Sequence, residues 1–348
     1  MELKPLIIMI ILLSGIQPVH PADMVGDIRH LSEDIGPRPA GSAREMMAAE
    51  YLASRFRTLG IDTEVEEFGY YSLTSPGVRR SCNVIATIEG DSEDEIIICA
   101  DLDTPMDPVS GNYSAGASDD ATGLALLLEI AERYHDRRPP YTIKLIAFGA
   151  GEDGFTFPLV TPKRTSLSPD AYHQIVYLPY LVGARHYILN RQDDVDRIIA
   201  VISLEAMGTG TPCVVRRDYY SDNSGPLVDL IALNARLHGI RACVVDFMAA
   251  STPSGEQPIS HVYLPFSVAG VPSTFLVSMR DPSSGGVHST ITEMPGYLSD
   301  RDTYSNLVEE SGGVEGLKGH MDVMADMVEC SVEAIFLVNR VKDLFLLY

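Results

Sequence analysis

Five places along the chain set metal-capable side chains just beyond apolar, strand-like runs. Asp101 and Asp103 follow the run ending at Ala100, and Asp119 and Asp120 sit in Gly116-Ala117-Ser118-Asp119-Asp120-Ala121-Thr122-Gly123, ahead of a helical pattern. Glu152 and Asp153 follow the run ending near Phe148, Glu205 follows Leu204, and His288 comes after the turn Ser284-Gly285-Gly286-Val287. Taken singly, each has a plainer reading. An Asp after a strand is more often a turn former or a helix cap, so Asp119 could cap the helix at Thr122 and Asp153 could brace the turn at Gly154. A lone His is usually a loop residue. The coincidence carries the weight, because all five places fall where one sheet edge would gather them. Four carboxylates held that close repel one another, and they either bind a cation or hold protons. With one imidazole they form a hard donor set suited to Mn, Mg or Ca, to which zinc can also bind.

The elements that would position these residues alternate between helical and strand-like patterns. Ser42 opens a helix with apolar residues at Ala48, Leu52, Phe56 and Leu59, stopped by Gly60. Residues 61–68 read as a strand, and 83–88 with 95–100 as a pair flanking a solvated acidic hairpin turn at 90–94. The pattern predicts helices over 122–134, 182–191, 226–238 and 317–345, and strands over 142–148, 198–204, 243–247 and 274–277. This alternation specifies an α/β fold, a single three-layer domain with a mostly parallel mixed sheet and helices on both faces. In such sheets ligand sites form in loops beyond the carboxyl ends of the strands. Residues 155–180 break the rhythm with Pro158, Pro162, Pro169 and Pro179. They read as an insertion, either a functional loop or lid or a disordered stretch.

Composition sets the outer limits. The 348 residues carry a formal net charge of −22 with 45% hydrophobic and 21% charged residues, which fits a folded chain with a large core. The negative excess argues against nucleic acid as a partner and against a basic membrane-docking patch. Met1-Glu2-Leu3-Lys4 precedes an apolar run over 5–13, too short to span a bilayer. Residues 1–22 therefore read as a signal peptide or N-terminal anchor, and 23–348 as the domain, in an exported, extracytoplasmic protein. Cys82, Cys99, Cys213, Cys243 and Cys330 include no CxxC pair, so they read as buried thiols, with one disulfide open in an oxidising compartment. There is no HExxH and no phosphate-binding GxxxxGK[ST]. The segment Gly111-Asn112-Tyr113-Ser114-Ala115-Gly116 misses the serine-hydrolase elbow by one residue.

The chain resembles the two-zinc exopeptidase family of aminopeptidase Y and bacterial leucyl aminopeptidases, whose relatives include glutaminyl cyclases and glutamate carboxypeptidase. The resemblance rests on Gly36-Pro37-Arg38-Pro39-Ala40-Gly41-Ser42, Asn83-Val84-Ile85-Ala86 through Glu95-Ile96-Ile97-Ile98, and Gly116 to Gly123. It continues through Ala147-Phe148-Gly149-Ala150, Gly183-Ala184-Arg185-His186-Tyr187, Ile202-Ser203-Leu204-Glu205, Ala269-Gly270-Val271-Pro272 and His288-Ser289-Thr290. It spans about residues 25–295 and implies a zinc-exopeptidase-like fold with one or two divalent ions, zinc first.

Carried over residue by residue, the resemblance implies metal ligands at Asp101, Asp119, Glu152, Glu205 and His288. Asp101 stands where the family has His, and Asp103 is the Asp of that His-x-Asp turn. Asp119 is the bridging Asp, in a peptide bond the family often holds cis. The family's Glu-Glu pair falls on Gly151-Glu152, so the general base is missing and the adjacent ligand is kept. A one-residue slip would make Glu152 the base and Asp153 the ligand. Alternatively an acid or His173 of the insertion would reach in. Two functions follow. One is a divergent metal-dependent exopeptidase acting on peptides or small amides, with Asp103 and, only under that one-residue slip, Glu152 as its catalytic residues. The other is a non-catalytic relative serving as an extracytoplasmic binding or structural module.

Overall fold

The computed structural model describes residues 23–72, 76–153, 167–178, 180–218, 224–247, 250–252, 255–257, 261–280 and 299–346. The proposed leader at 1–22 and His288 lie outside these residues, as do 155–166 and 179 of the insertion.

Helices α1 (Met24–Arg29) and α2 (Ala43–Thr58) lead into strands β1 (Asp62–Tyr71), β2 (Val78–Ile88) and β3 (Ser92–Asp101). Helix α3 (Thr122–Tyr134) and strand β4 (Tyr141–Phe148) follow, then α4 (Pro169–Tyr177), α5 (Val182–Asn190), β5 (Ile198–Glu205) and β6 (Thr211–Asp218). The rest is α6 (Gly225–Leu237), β7 (Cys243–Phe247), the small strands β8 (Ala250–Thr252) and β9 (Gly255–Gln257), α7 (Leu264–Val268), β10 (Ser273–Met279), α8 (Tyr304–Glu310) and α9 (Val314–Leu346). As expected, Ser42 caps α2, its hydroxyl accepting the Glu45 amide at 3.1 Å. No helix of the described residues is long and apolar enough to cross a membrane.

Among the described residues the main sheet has eight strands in the order β1-β2-β4-β3-β5-β10-β6-β7. Its centre, β4-β3-β5-β10, is parallel, while β1 and β2 on one side and β6 on the other pair antiparallel. Side chains alternate across the central strands. Ile96, Ile98 and Ala100 of β3, with Ala200, Ile202 and Leu204 of β5, face a core formed with α1, α2, α3, α6 and α9. Ile97 and Cys99 of β3 and Val201 of β5 face a second core with Ile175, Tyr187, Ile188 and Phe266, from α4, α5 and α7. Two buried faces on one sheet make the three layers, and burial at both faces explains why the central strands read as unbroken apolar runs.

One expectation fails. Strands at 83–88 and 95–100 form, but β4 lies between them, so 90–94 is no hairpin turn. The Asp91 and Ser92 amides instead donate to the carbonyls of Pro139 and Pro140 at 2.8 and 3.0 Å, laying the acidic segment along the entry to β4. A strand that is apolar on both faces belongs at the centre of a covered sheet, flanked by parallel partners, and β3 satisfies that only with β4 and β5 beside it. A helix, α4, also forms inside the stretch read as aperiodic, with Ser168 accepting the Ala171 amide and Pro169 at the first turn.

Candidate active site

Because β3, β4, β5 and β10 are parallel, their carboxyl ends share one edge of the sheet. Asp101 ends β3, Glu205 ends β5, and Gly149 to Glu152 follow β4. Asp119 and Asp120 enter the same edge from the turn before α3, joined by a cis peptide bond. Asp101, Asp119, Asp120 and Glu205 are buried and Glu152 is half-buried.

Each turn is held by side-chain acceptors. Four successive amides after β4 are each accepted by a side chain: Gly149 by Asn83 Oδ1 at 3.3 Å, Ala150 by Glu45 Oε1 at 3.0 Å, Gly151 by Asp103 Oδ1 at 2.7 Å and Glu152 by Asp103 Oδ2 at 3.1 Å. Asp302 clamps the other turn, accepting Ser118 N at 2.7 Å and Asp119 N at 2.9 Å. Asp120 accepts Asp101 N at 3.3 Å and Gly123 N at 3.0 Å, so Asp120, not Asp119, braces the start of α3. Behind them the fully buried Arg38 guanidinium donates to the carbonyls of Leu31, Gly36, Leu102, Ala115 and Gly116. It therefore joins the chain that follows α1 to the Asp101 and Asp119 turns.

The electrostatics follow from this crowding. Burial, then repulsion from Glu152 and Glu205, holds the Asp101 carboxyl well above its usual range. Burial, then Glu205 and Glu152, does the same for Asp119. Glu152 is pushed up to about 8 by burial, Asp103 and Glu205. Asp103 rises only to about 6, since the Gly151 and Glu152 amides offset part of its burial. Burial lowers Arg38 to about 10 against the pull of Asp302, Asp120, Asp103 and Asp119.

The structure thus brings together Asp101, Asp103, Asp119, Glu152 and Glu205, and Glu152 rather than Asp153 faces Glu205. Asp153 accepts a hydrogen bond from the Ser72 hydroxyl instead. His173 is exposed on α4. Sequence reasoning missed His261, whose Nδ1 stands 3.1 Å from Glu205 Oε2 in a fully buried pair, with its ring 4.2 Å from that of Phe275. Nothing in its spacing ties His261 to the acidic positions. Asp302 was missed for the same reason.

At this edge the carboxylate oxygens Asp101 Oδ1 and Asp119 Oδ2 are buried with no hydrogen-bond partner among the described residues. Burying charged oxygens without partners is costly, and either a proton or a divalent cation among them would meet the need. The donor set therefore fits a metal. As placed, no three His, Cys, Asp or Glu side chains among the described residues stand together so as to hold an ion.

Gly151 sets a further geometric condition. A Cβ there would stand 1.9 Å from Asp101 Oδ1 and 3.4 Å from Asp103 Oδ1, so only glycine fits beside Asp101 as it lies.

Comparison with known proteins agrees with this fold. An Escherichia coli alkaline phosphatase isozyme conversion protein is 31% identical over 160 residues, 40% of this chain and 46% of that protein. The match thus spans less than half of that relative's own length. A Zn-dependent exopeptidase from Parabacteroides distasonis shares the fold with a TM-score of 0.64 and 18% identity, over 90% of this chain and 99% of that one. A zinc aminopeptidase from Bacillus subtilis gives 0.61 and 16%, over 90% and 94%. The model of peptidase family M28 matches residues 83–312, the stretch that holds Asp101, Asp119, Glu152, Glu205 and Asp302. On that match the chain belongs to peptidase family M28.

Proposed function

We propose that this chain is a metal-dependent hydrolase of the exopeptidase type, cleaving peptides at their N-termini or related small amides. The observation that supports it is the gathering of Asp101, Asp119, Glu152 and Glu205 at one sheet edge, with Asp101 Oδ1 and Asp119 Oδ2 buried and unpartnered. Asp119, Glu152 and Glu205 would hold the ion with His288, and zinc is the first candidate because family relatives are described as zinc enzymes. Such an ion, when bound, polarises a carbonyl and acidifies water. Glu205 is steadied by His261, and Asp103 orients Glu152 through the turn amides. Asp101 adds charge to the set and supplies the proton acceptor that position 151 lacks, since its Oδ1 occupies the space a side chain there would enter.

The test is metal content of the purified protein together with turnover of aminoacyl anilides across added metals. Asp101→Asn is expected to keep the metal and lose turnover by about 10²–10⁴-fold, the range for a lost general base. Wild-type rates in that variant would remove Asp101 from the proton path. Gly151 favours a second reading, a non-catalytic relative that binds metal or peptide. Metal bound without turnover of any substrate would establish it. We place either protein outside the cytoplasm on its N-terminal segment, which cell fractionation and N-terminal sequencing of the isolated protein would check.

A further inference from the structure

Strands β6 and β7 are parallel neighbours, and among the described residues β7 is the edge of the main sheet. Their register sets Cys213 directly against Cys243. Register partners in adjacent strands carry their side chains on the same face. Both cysteines accordingly pack on the same core layer, Cys213 within it and Cys243 against it. Adjacent strands lie about 4.8 Å apart, inside the Cα separation of about 4.4–6.8 Å that a disulfide spans. The other three cysteines have no such partner. Cys82 faces Glu67 of β1, Cys99 lies between Ile146 and Ser203, and Cys330 is on α9.

We propose that Cys213 and Cys243 form an oxidisable pair whose disulfide staples the edge strand β7 to β6. Cys243, partly exposed, is the thiol an incoming disulfide reaches first. Its thiolate attacks a small-molecule disulfide such as oxidised glutathione, forming a mixed disulfide and releasing one reduced glutathione. The Cys213 thiolate then attacks the Cys243 sulfur, forming the inter-strand bond and releasing the second. Two protein thiols are oxidised and one glutathione disulfide is reduced to two thiols. Burial, with Cys243 next to it, pushes the Cys213 thiol up to about 12, which makes the second exchange the slow one. The bond would anchor β7, the last strand of the main sheet before the segment that ends at His261.

The experiment treats the purified full chain with oxidised glutathione under native conditions, then denatures it, alkylates free thiols and maps the peptides by mass spectrometry. The expected result is a linked Cys213–Cys243 peptide, lighter by two hydrogens than the reduced pair, with Cys82, Cys99 and Cys330 alkylated. The thermal midpoint of the oxidised protein should rise by several degrees over the reduced one, and Cys243→Ser should abolish that difference. Alkylation of all five cysteines, a glutathione adduct that stays on Cys243, or a link from Cys213 to another cysteine would overturn the proposal. Equal midpoints with the link in place would overturn its role as a staple.

Discussion

The Asp101 carboxylate and the open side of Gly151 share one small volume, so neither residue can change alone. A Cβ at 151 would lie 1.9 Å from Asp101 Oδ1, and the neighbouring backbone is pinned by Asp103. Gly151→Glu by itself should therefore not create a general base. Overpacking of this kind costs about 1–3 kcal/mol, and thermal denaturation should show the loss without any gain in anilide turnover. Asp101→His combined with Gly151→Glu restores the pairing that the resemblance implies. The double variant should be more stable than Gly151→Glu and should hydrolyse the anilide faster than either single variant. Restored turnover in Gly151→Glu alone would show that Asp101 yields the space easily.

At the scale of elements, the turn from Gly149 to Glu152 is as well determined as a strand end, because each of its amides has a side-chain acceptor. Glu45 reaches it from α2, and also accepts the Ser81 hydroxyl at 2.6 Å and the Gly41 amide at 2.7 Å. Removing a buried acceptor strands its donors, at about 1–3 kcal/mol for the group. Glu45→Ala should lower stability in chemical denaturation by that order and weaken metal binding in calorimetric titration, since Glu152 loses its placement. Glu45→Gln keeps an acceptor oxygen and should lose less. Asp302 acts in the same way on the Asp119 turn. Asn at 302 would present its amide nitrogen to one of the two backbone N–H groups now paired with carboxylate oxygens, so Asp302→Asn should lower the denaturation midpoint and metal affinity together.

Across the whole molecule, the net charge of −22 gains a location. Carboxyls with raised values, the buried Glu45 at about 8, the half-buried Glu152 at about 8 and the buried Asp302 at about 7, hold protons in the folded state that the unfolded chain releases near pH 4. The folded state then binds more protons than the unfolded one, so stability falls as pH rises. The contribution is fully present below the unfolded values and is lost as pH climbs through about 7–8. Chelator-treated protein should therefore melt at a lower temperature at pH 8 than at pH 5. A saturating divalent cation should raise the midpoint more at pH 8, where the oxygens are free of protons, than at pH 5. Equal cation effects at both pH values would count against carboxylate ligation.

Much of this was already legible in the residues. Helix α3 and strands β4, β5 and β7 follow local apolar periodicity, and local pattern is enough wherever one element's own residues decide its state. Placing Asp101, Asp119, Glu152 and Glu205 together needed only the rule that parallel strands end on one edge. Sheet order was different, because pairing joins residues distant in the chain. Nothing near 90–94 says that β4, some fifty residues later, takes the place beside β3. His261 and Asp302 belong to the site for a similar reason, as each acts on a residue far away in sequence. Residue types thus determined the chemistry available to this protein, carboxylates seeking a cation. Tertiary packing alone decided that Asp101 fills the space beside Gly151, because a steric exclusion exists only between atoms the fold has already brought together.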